Sequence, residues 1–519
     1  MTKRAFGRQI VLPSKANIIW VAPMPGEKEL LDGFLGTMES EDLRRLVKEV
    51  FEGMQQAGTV GSLLAMEDDI KAAIKRVVGV RGGLFAKEDH DKWQLMHTEL
   101  MKALTEYCGV VDKGENFKRT LFANDTAQGL SYIDLCETKM DVMLMNPPFG
   151  RPASGTIGYI DDHYHEWSGN ILCAFLERGL ARTESAGFVG CVVDRSIAMK
   201  SSYTGFRRGI LLADENMRTG VDLGWQVLDA NVEVAAWVVG CHGSSGPHAF
   251  FDVRSLVPHT KHTALVEAVE AATQPSECPY LCLSSTHQML ALPNSVVAFS
   301  FPGYAASIVE SCPSLTEAGF KSSCGHTFTA DRYGRLRWER LESEPVSFNS
   351  SRWAALFNGG SYCIAYSPER DIVLYGHDGS SFEHEPSLFL RNLQLQGRAG
   401  VGYGKRGDFL DPRLVPAGHV FTVEGQMCIL EDEEEAAYLT GLFASSFFQY
   451  VLNLYCGQHK VPGYVGLFPY RTPPSEVRSA VADDMASVRS ELSRWQGGDE
   501  TDVAFVGPRL AWDLGVPSA

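Results

Sequence analysis

An α/β protein with a helical N-terminal region and a C-terminal α+β domain is predicted by three observations. Residues 1–117 repeat apolar side chains every three to four positions, as in EDLRRLVKEVFEGMQQ and DKWQLMHTELMKALTEYCG, the period of helices with one buried face. From 118 to about 242, short strand-like runs alternate with helical ones, the signature of a parallel sheet covered by helices. Residues 320–430 are rich in Gly, aromatic and strand-like pieces, and helical patterns return after Glu431.

The alternating region reads, in order, FKRTLFAND, KMDVMLMNPPF, ILCAFLERGLAR, GFVGCVVDRS, YTGFRRGILL and VEVAAWVVGC. Its first piece predicts a short strand ending at Asn124-Asp125. A polar hinge, GCHGSSGPHAFFD, then separates this region from the C-terminal half of the chain. The expected units are 1–117 (helical), 118–245 (α/β), 246–319 (connecting), 320–470 (α+β) and 471–519 (C-terminal helix and tail). Within the last two, EEEAAYLTGLFASSFFQYVLNLY and VADDMASVRSELSRW read as helices on either side of a Pro-rich turn. The acidic run at 431–435 suits a helix first turn, where carboxylates meet the positive end of the dipole.

With 519 residues, 45% hydrophobic and 21% charged, the chain has ample material for several cores. Its net charge of −17 excludes a general basic coat, so any nucleic-acid contact must be local. Clusters of Arg and Lys at 195–208 and 398–413 provide for that. The twelve cysteines lack the spacing of a disulfide scaffold and read as buried thiols. Cys278, Cys282, Cys312, Cys324 and His326 do not have zinc-ribbon or finger spacing, and HDKWQLMHTE lacks a metalloprotease arrangement. Neither a signal peptide nor a run of about 18 apolar residues is seen, which suggests a cytoplasmic location.

The chemistry-bearing motif is DVMLMNPPFG, an apolar strand that delivers Asn146, Pro147, Pro148 and Phe149 into the loop at its carboxyl end. Open α/β sheets place their ligands there. An exocyclic adenine amine is a poor nucleophile because its lone pair is delocalised into the ring. The Asn146 side-chain oxygen and the Pro147 carbonyl can each accept one of its N–H groups, drawing the nitrogen towards tetrahedral geometry. Pro148 stiffens the loop, and Phe149 offers a face for stacking an extruded base.

The succession NPPFG, WSGNILCAFLERGL, GFVGCVVDRS, SYTGFRRGILL and VDLGWQVLDANVEVAAWVV resembles motifs four to eight of the gamma-type adenine-specific DNA N6-methyltransferases, particularly the Eco57I-like and BREX phage-defence enzymes. CGHTFTADRYGRLRWE, RWAALFNGGSYCIAY, GVGYGKRGDFLDPRLVPAGHVFTVEGQMCI and LTGLFASSFFQYVLNLYCGQHKVPGYVGLFPY are similar to that family's target-recognition region, so the likeness covers about 118–511. It implies a partial Rossmann-like S-adenosylmethionine-dependent methyltransferase sheet, double-stranded DNA as partner, and a restriction-modification or defence role.

It further implies that Asp125, with Asn124 beside it, accepts a hydrogen bond from the cofactor's adenine amine; a turn or N-cap role is the other reading. Arg195, Arg207 and Arg208 read either as phosphate contacts or as a solvated helix face. Trp225 lies near the position at which the family stacks an aromatic on the flipped base, although Leu228 stands where an aromatic is usual. Lys405 and Arg406, on a Gly-flanked loop, and the loop 329–335 are candidate DNA contacts.

The family's Gly-rich cofactor turn is missing upstream of Asn146: neither Gly79-Val80-Arg81-Gly82-Gly83 nor Ala22-Pro23-Met24-Pro25-Gly26 has the acidic lead residue and glycine spacing. Phe357-Asn358-Gly359-Gly360 does not supply it either. The expectation is a split, truncated or diverged homologue, whose sheet edge beside Val142 is completed by residues 1–117 or by a second polypeptide. A non-catalytic DNA-binding specificity subunit is the alternative.

Overall fold

The computed structural model describes residues 28–54, 60–65, 116–166, 169–230, 232–240, 246–273, 277–359, 364–382, 388–456, 459–503 and 505–509, and the single positions 98, 102, 103 and 106. The HDKWQLMHTE segment, Thr98 excepted, and both glycine-bearing candidates for the cofactor turn before Asn146 lie outside them. The chain divides into two compact units. One comprises Met1–Asp194, Gly209–Val221 and Val234–Ser245; the other comprises Arg195–Arg208, Asp222–Glu233 and Gly246–Ala519.

The first unit opens with α1 (Lys28–Leu35) and α2 (Glu41–Met54), followed by the long α3 (Asn116–Glu137). Phe34, Val47, Phe51, Met54, Phe122, Tyr132 and Cys136 meet in one core, where the Phe51 and Phe122 rings stack 5.5 Å apart. This overturns the strand expected at FKRTLFAND. Phe122, Thr126, Tyr132 and Cys136 are buried together on one side of α3, and the Thr126 hydroxyl donates to the Phe122 carbonyl at 2.7 Å. Asn124 and Asp125 are exposed in mid-helix, so they do not lie at the carboxyl end of a strand.

Strand β1 (Met140–Met145) is the apolar run that leads into the NPPF motif, and α4 (Ile157–His163) and α5 (Ile171–Ala181) come after it. Next come β2 (Thr183–Asp194), β3 (Met217–Gly224) and β4 (Val234–Gly240). The order is β1-β2-β4-β3. β1 runs parallel to β2, but β2 and β4 are antiparallel, with Val193 opposite Ala235. The sheet is therefore mixed rather than parallel: β4 follows β3 through a bend with no helix between them and runs back beside β2. α5 packs against β1 and β2 at Gly179, where an added Cβ would lie 2.6 Å from Met145 Cε.

In the second unit β5 (His248–Asp252) pairs antiparallel with β6 (Leu281–Ser284), and α6 (Pro258–Thr273) connects them. Eight short strands come next: β7 (Ser322–Ser323), β8 (Gly334–Leu336), β9 (Trp353–Phe357), β10 (Asp371–Leu374), β11 (Gly400–Gly404), β12 (Arg413–Val415), β13 (His419–Phe421) and β14 (Gly425–Ile429). They form two four-stranded sheets, ordered β13-β9-β10-β8 and β12-β11-β14-β7. Helices α7 (Glu433–Ala444), α8 (Ser446–Tyr455) and α9 (Ser475–Gln496) complete the unit. Its largest core joins Val401 and Tyr403 of β11 to Leu439, Phe443, Phe448 and Leu452 of α7 and α8.

No helix among the described residues is long and apolar enough to cross a membrane. Of the cysteines, Cys136, Cys173, Cys191, Cys428 and Cys456 are buried, whereas Cys278, Cys282, Cys312 and Cys324 are only half-buried. Burial pushes the Cys191 thiol up to about 12, which leaves it protonated and inert.

Candidate active site

The alternation of β1 divides its side chains between two environments. Met143 and Met145 face α5, while Val142 is 59% and Leu144 is 81% exposed. Leu144 lies opposite Gly190 of β2, which has no side chain to cover it, and Val142 lies opposite Phe188, itself 42% exposed. Among the described residues β1 pairs with β2 alone.

Asn146 leaves this strand exposed, and no described residue hydrogen-bonds its side chain. Pro147 is buried, Pro148 exposed and Phe149 half-buried, so the loop is seated on one proline and turned outward at its amide. The far end is fixed at Gly150, which has φ +92°, backbone that favours glycine. Its N–H donates to the Asn170 side-chain oxygen at 3.0 Å, and its carbonyl accepts the Ile171 N–H at 2.8 Å. The same Asn170 oxygen accepts the Leu172 N–H at 3.2 Å and so caps α5. Asn170 is 1% exposed. One buried amide thus joins the loop to the helix packed against β1.

Sequence reasoning did not single out Asn170. Its signal, an Asn immediately before the apolar helix in WSGNILCAFLERGL, was there to be read. Further along α5, burial pushes the Glu177 carboxyl above the usual range, a shift moderated by backbone N–H groups at Glu166 and His165.

Several other expected site residues are placed differently. Arg195, in the second unit, is 2% exposed, with Nε 2.6 Å from Asp222 Oδ2 and Nη1 3.6 Å from Glu233 Oε2. Arg254 joins the network through Asp222 at 3.4 Å and Asp252 at 2.6 Å. Burial raises the Asp252 pKa, but Arg254 outweighs it and holds the carboxyl low. Arg207 is fully buried and donates to the carbonyls of Ile197 (2.7 Å), Lys200 (2.9 Å), Asn294 (2.8 Å) and Ser295 (2.9 Å). Both arginines are internal struts, which corrects the reading of them as phosphate contacts: a guanidinium already desolvated and paired has nothing to offer a ligand. Arg208 donates to Ser295 Oγ at 2.7 Å.

Trp225 is half-buried in the turn after β3, and its indole nitrogen is buried without a described partner. Lys261 holds this turn by donating to the Trp225 carbonyl at 2.9 Å and to that of Leu223. Lys405 and Arg406 share one carboxylate: Lys405 Nζ lies 3.3 Å from Glu424 Oε1, and Arg406 Nε lies 3.0 Å from Glu424 Oε2. Arg406 remains 67% exposed and Lys405 only 20%. The loop expected at 329–335 is instead a helical turn, Ala330–Tyr333, leading directly into β8, on which Arg335 is exposed. Among the described residues no group of three or more His, Cys, Asp or Glu side chains is arranged to hold a metal ion.

No family model matches the chain, and no curated protein does. Solved structures do resemble it. The type IIL restriction-modification enzyme MmeI, in complex with DNA, is 10% identical over 93% of this chain and 72% of that one, with a TM-score of 0.48. A nuclease-deletion mutant of the type ISP restriction-modification enzyme LlaGI, with a DNA substrate mimic, is 12% identical over 86% of this chain and 43% of that one, at 0.43. The M protein of the type I restriction enzyme EcoKI is 18% identical over 24% of this chain, at 0.20, and the chain spans 28% of its length. Likenesses at such TM-scores carry no weight in assigning an activity.

Proposed function

We propose that this chain carries the base-binding and target-recognition parts of an S-adenosylmethionine-dependent DNA adenine N6-methyltransferase, acting in restriction-modification or phage defence. The observation that carries this reading is an exposed Asn146 at the carboxyl end of a strand with a parallel neighbour, in an Asn-Pro-Pro-Phe loop pinned at Gly150 by the buried Asn170. A flipped adenine would present its amine to the Asn146 side-chain oxygen and the Pro147 carbonyl. Both accept hydrogen bonds, so both stabilise positive charge growing on the nitrogen, and neither must reorganise if the loop is already fixed. Phe149 would stack on the base.

The described residues do not by themselves fit S-adenosylmethionine. Asn124 and Asp125 sit in mid-helix, and the carboxyl end of β1 has a described strand on one side only. Open α/β sheets hold ligands in the crevice between neighbouring strand ends. We propose that a second polypeptide extends the sheet beside β1 and holds the cofactor, with residues 1–117 as the other candidate for that edge. The alternative, a specificity subunit without catalysis, draws on the same single described neighbour of β1.

Expression of the tagged chain in cells, with and without its genomic neighbours, distinguishes these readings when plasmid DNA is read by modification-sensitive sequencing. Adenine methylation at a defined site is expected only with the neighbours present, with a second polypeptide co-purifying. Asn146→Ala should lower it by roughly 10²–10³-fold, the cost of removing one preorganised charge-stabilising group. Methylation unaffected by this substitution would refute the catalytic assignment.

A further inference from the structure

The loop after β11, residues 405–411, presents an arrangement that the methyl-transfer reading leaves unused. Phe409 is 70% exposed, and no other described Phe, Tyr or Trp is more so. Its neighbours are held tightly. Leu410 is fully buried; its N–H donates to Gln449 Oε1 at 2.9 Å, and its carbonyl accepts from Gln449 Nε2 at 2.8 Å. On the other side, the Asp408 carbonyl accepts from Asn453 Nδ2 at 2.9 Å. Asp411 Oδ1 accepts the Gly404 N–H at 2.6 Å, and the Lys405 carbonyl accepts the Lys460 N–H at 2.6 Å.

Gln449 and Asn453 both belong to α8, so the loop is bolted to a helix on each side of the ring it projects. A large apolar ring in water is ordinary on a loose loop, which can fold it away. Here the backbone hydrogen bonds oppose that movement. Arg406, three residues away in the sequence and 67% exposed, puts a planar cation on the same loop, paired there with Glu424. An aromatic ring held open to solvent, on a loop that also carries an exposed guanidinium, suits the flat faces of nucleobases, on which both groups stack.

We infer that Phe409 is a wedge, which enters the base stack of double-stranded DNA and occupies the gap left by a displaced base. This rests on the reading of the chain as DNA-binding and adds a residue and a contact to it. The local charges, Lys405 and Arg406 against Asp408, Asp411 and Glu424, nearly balance, so the wedge should contribute stacking rather than counterion release.

The test uses the full chain and two 30-base-pair duplexes, one intact and one with a single central abasic site, with binding followed by fluorescence anisotropy across a salt series. A gap offers the ring a place to stack without first unstacking a base. The wild-type chain is expected to bind the abasic duplex about tenfold more tightly than the intact one. Phe409→Ala should reduce that preference to within about twofold, with an unchanged salt slope, while Phe409→Trp retains it. An equal preference in Phe409→Ala, or none in the wild type, overturns the wedge. So does a variant that loses a co-purifying polypeptide instead. Failure of every form to bind either duplex overturns the DNA-binding reading beneath it.

Discussion

Solvent treats two strands of this protein in opposite ways. All five residues of β11 are buried, between partner strands β12 and β14 and against α7. None of the six residues of β1 is fully buried, and its apolar Val142 and Leu144 stand open. The second unit carries its own covering layers, whereas the first presents an apolar sheet face and a strand with one described neighbour. Strands in parallel pairs are normally covered on both faces, and long exposed edges invite pairing with another chain. The Asn-Pro-Pro-Phe loop lies at the end of the strand whose apolar side chains stand open. The difference therefore predicts that stability resides within the chain and that activity depends on what is added to β1.

The largest effect expected here concerns the clamp that keeps the motif in place before anything is added. Asn170→Ala strands two backbone N–H groups, that of Leu172 in a buried site, at about 1–3 kcal/mol, and that of the half-buried Gly150 at less, because water can reach it. A loop free to drift by about 1 Å can lose about a hundredfold in rate. Methylation in the neighbour-supplemented cells should fall by about that factor, while Asn170→Asp, which keeps the accepting oxygen, should restore most of it. Equal losses in the two variants would show that Asn170 acts as more than an acceptor and would weaken the clamp argument.

The sealed character of the second unit can be checked through His326. Burial holds its imidazole down to about 4, against 6.5 for an exposed one. Arg391 N–H donates to Nδ1 at 3.0 Å, so the ring's proton sits on Nε2, which donates to Tyr375 Oη at 3.3 Å. Between pH 6.5 and 4 the unfolded chain binds more protons at this residue than the folded one, so acid favours unfolding there; above about pH 6.5 the residue contributes no pH dependence. The loss should reach about 2 kcal/mol at pH 5. Urea unfolding of wild type and His326→Gln at pH 7 and pH 5 measures it, and the variant should lose correspondingly less on acidification.

The sequence made the β1 strand, its Asn-Pro-Pro-Phe loop and helix α5 legible, because short apolar runs beside Pro, Gly and Asn signals need no distant information. The helix at Asn124 was misread because FKRTLFAND contains strand-favouring residues, and its helical face emerges only when Phe122, Thr126, Tyr132 and Cys136 are viewed together. The arginines failed for another reason. Arg195 is neutralised by Asp222 and Glu233, and Arg207 is consumed by carbonyls including those of Asn294 and Ser295, partners 27 to 88 positions away. A charged side chain carries no local mark of whether it will meet solvent or a partner of that kind.

The smallest expected effect on the isolated chain is also the one that bears most directly on the exposed strand. Leu144→Lys replaces a side chain that is 81% exposed, so little buried area is lost, and unfolding free energy should change by less than about 0.5 kcal/mol. An edge strand lengthened by another polypeptide would bury that position against apolar neighbours, where an unpaired ammonium is costly. The variant should therefore fold as well as wild type yet fail to retain the co-purifying polypeptide and lose methylation, whereas a lysine in place of an exposed polar residue such as Ser131 should do neither. Retention of both partner and methylation by Leu144→Lys would mean that the open face of β1 is not where the proposed second polypeptide docks.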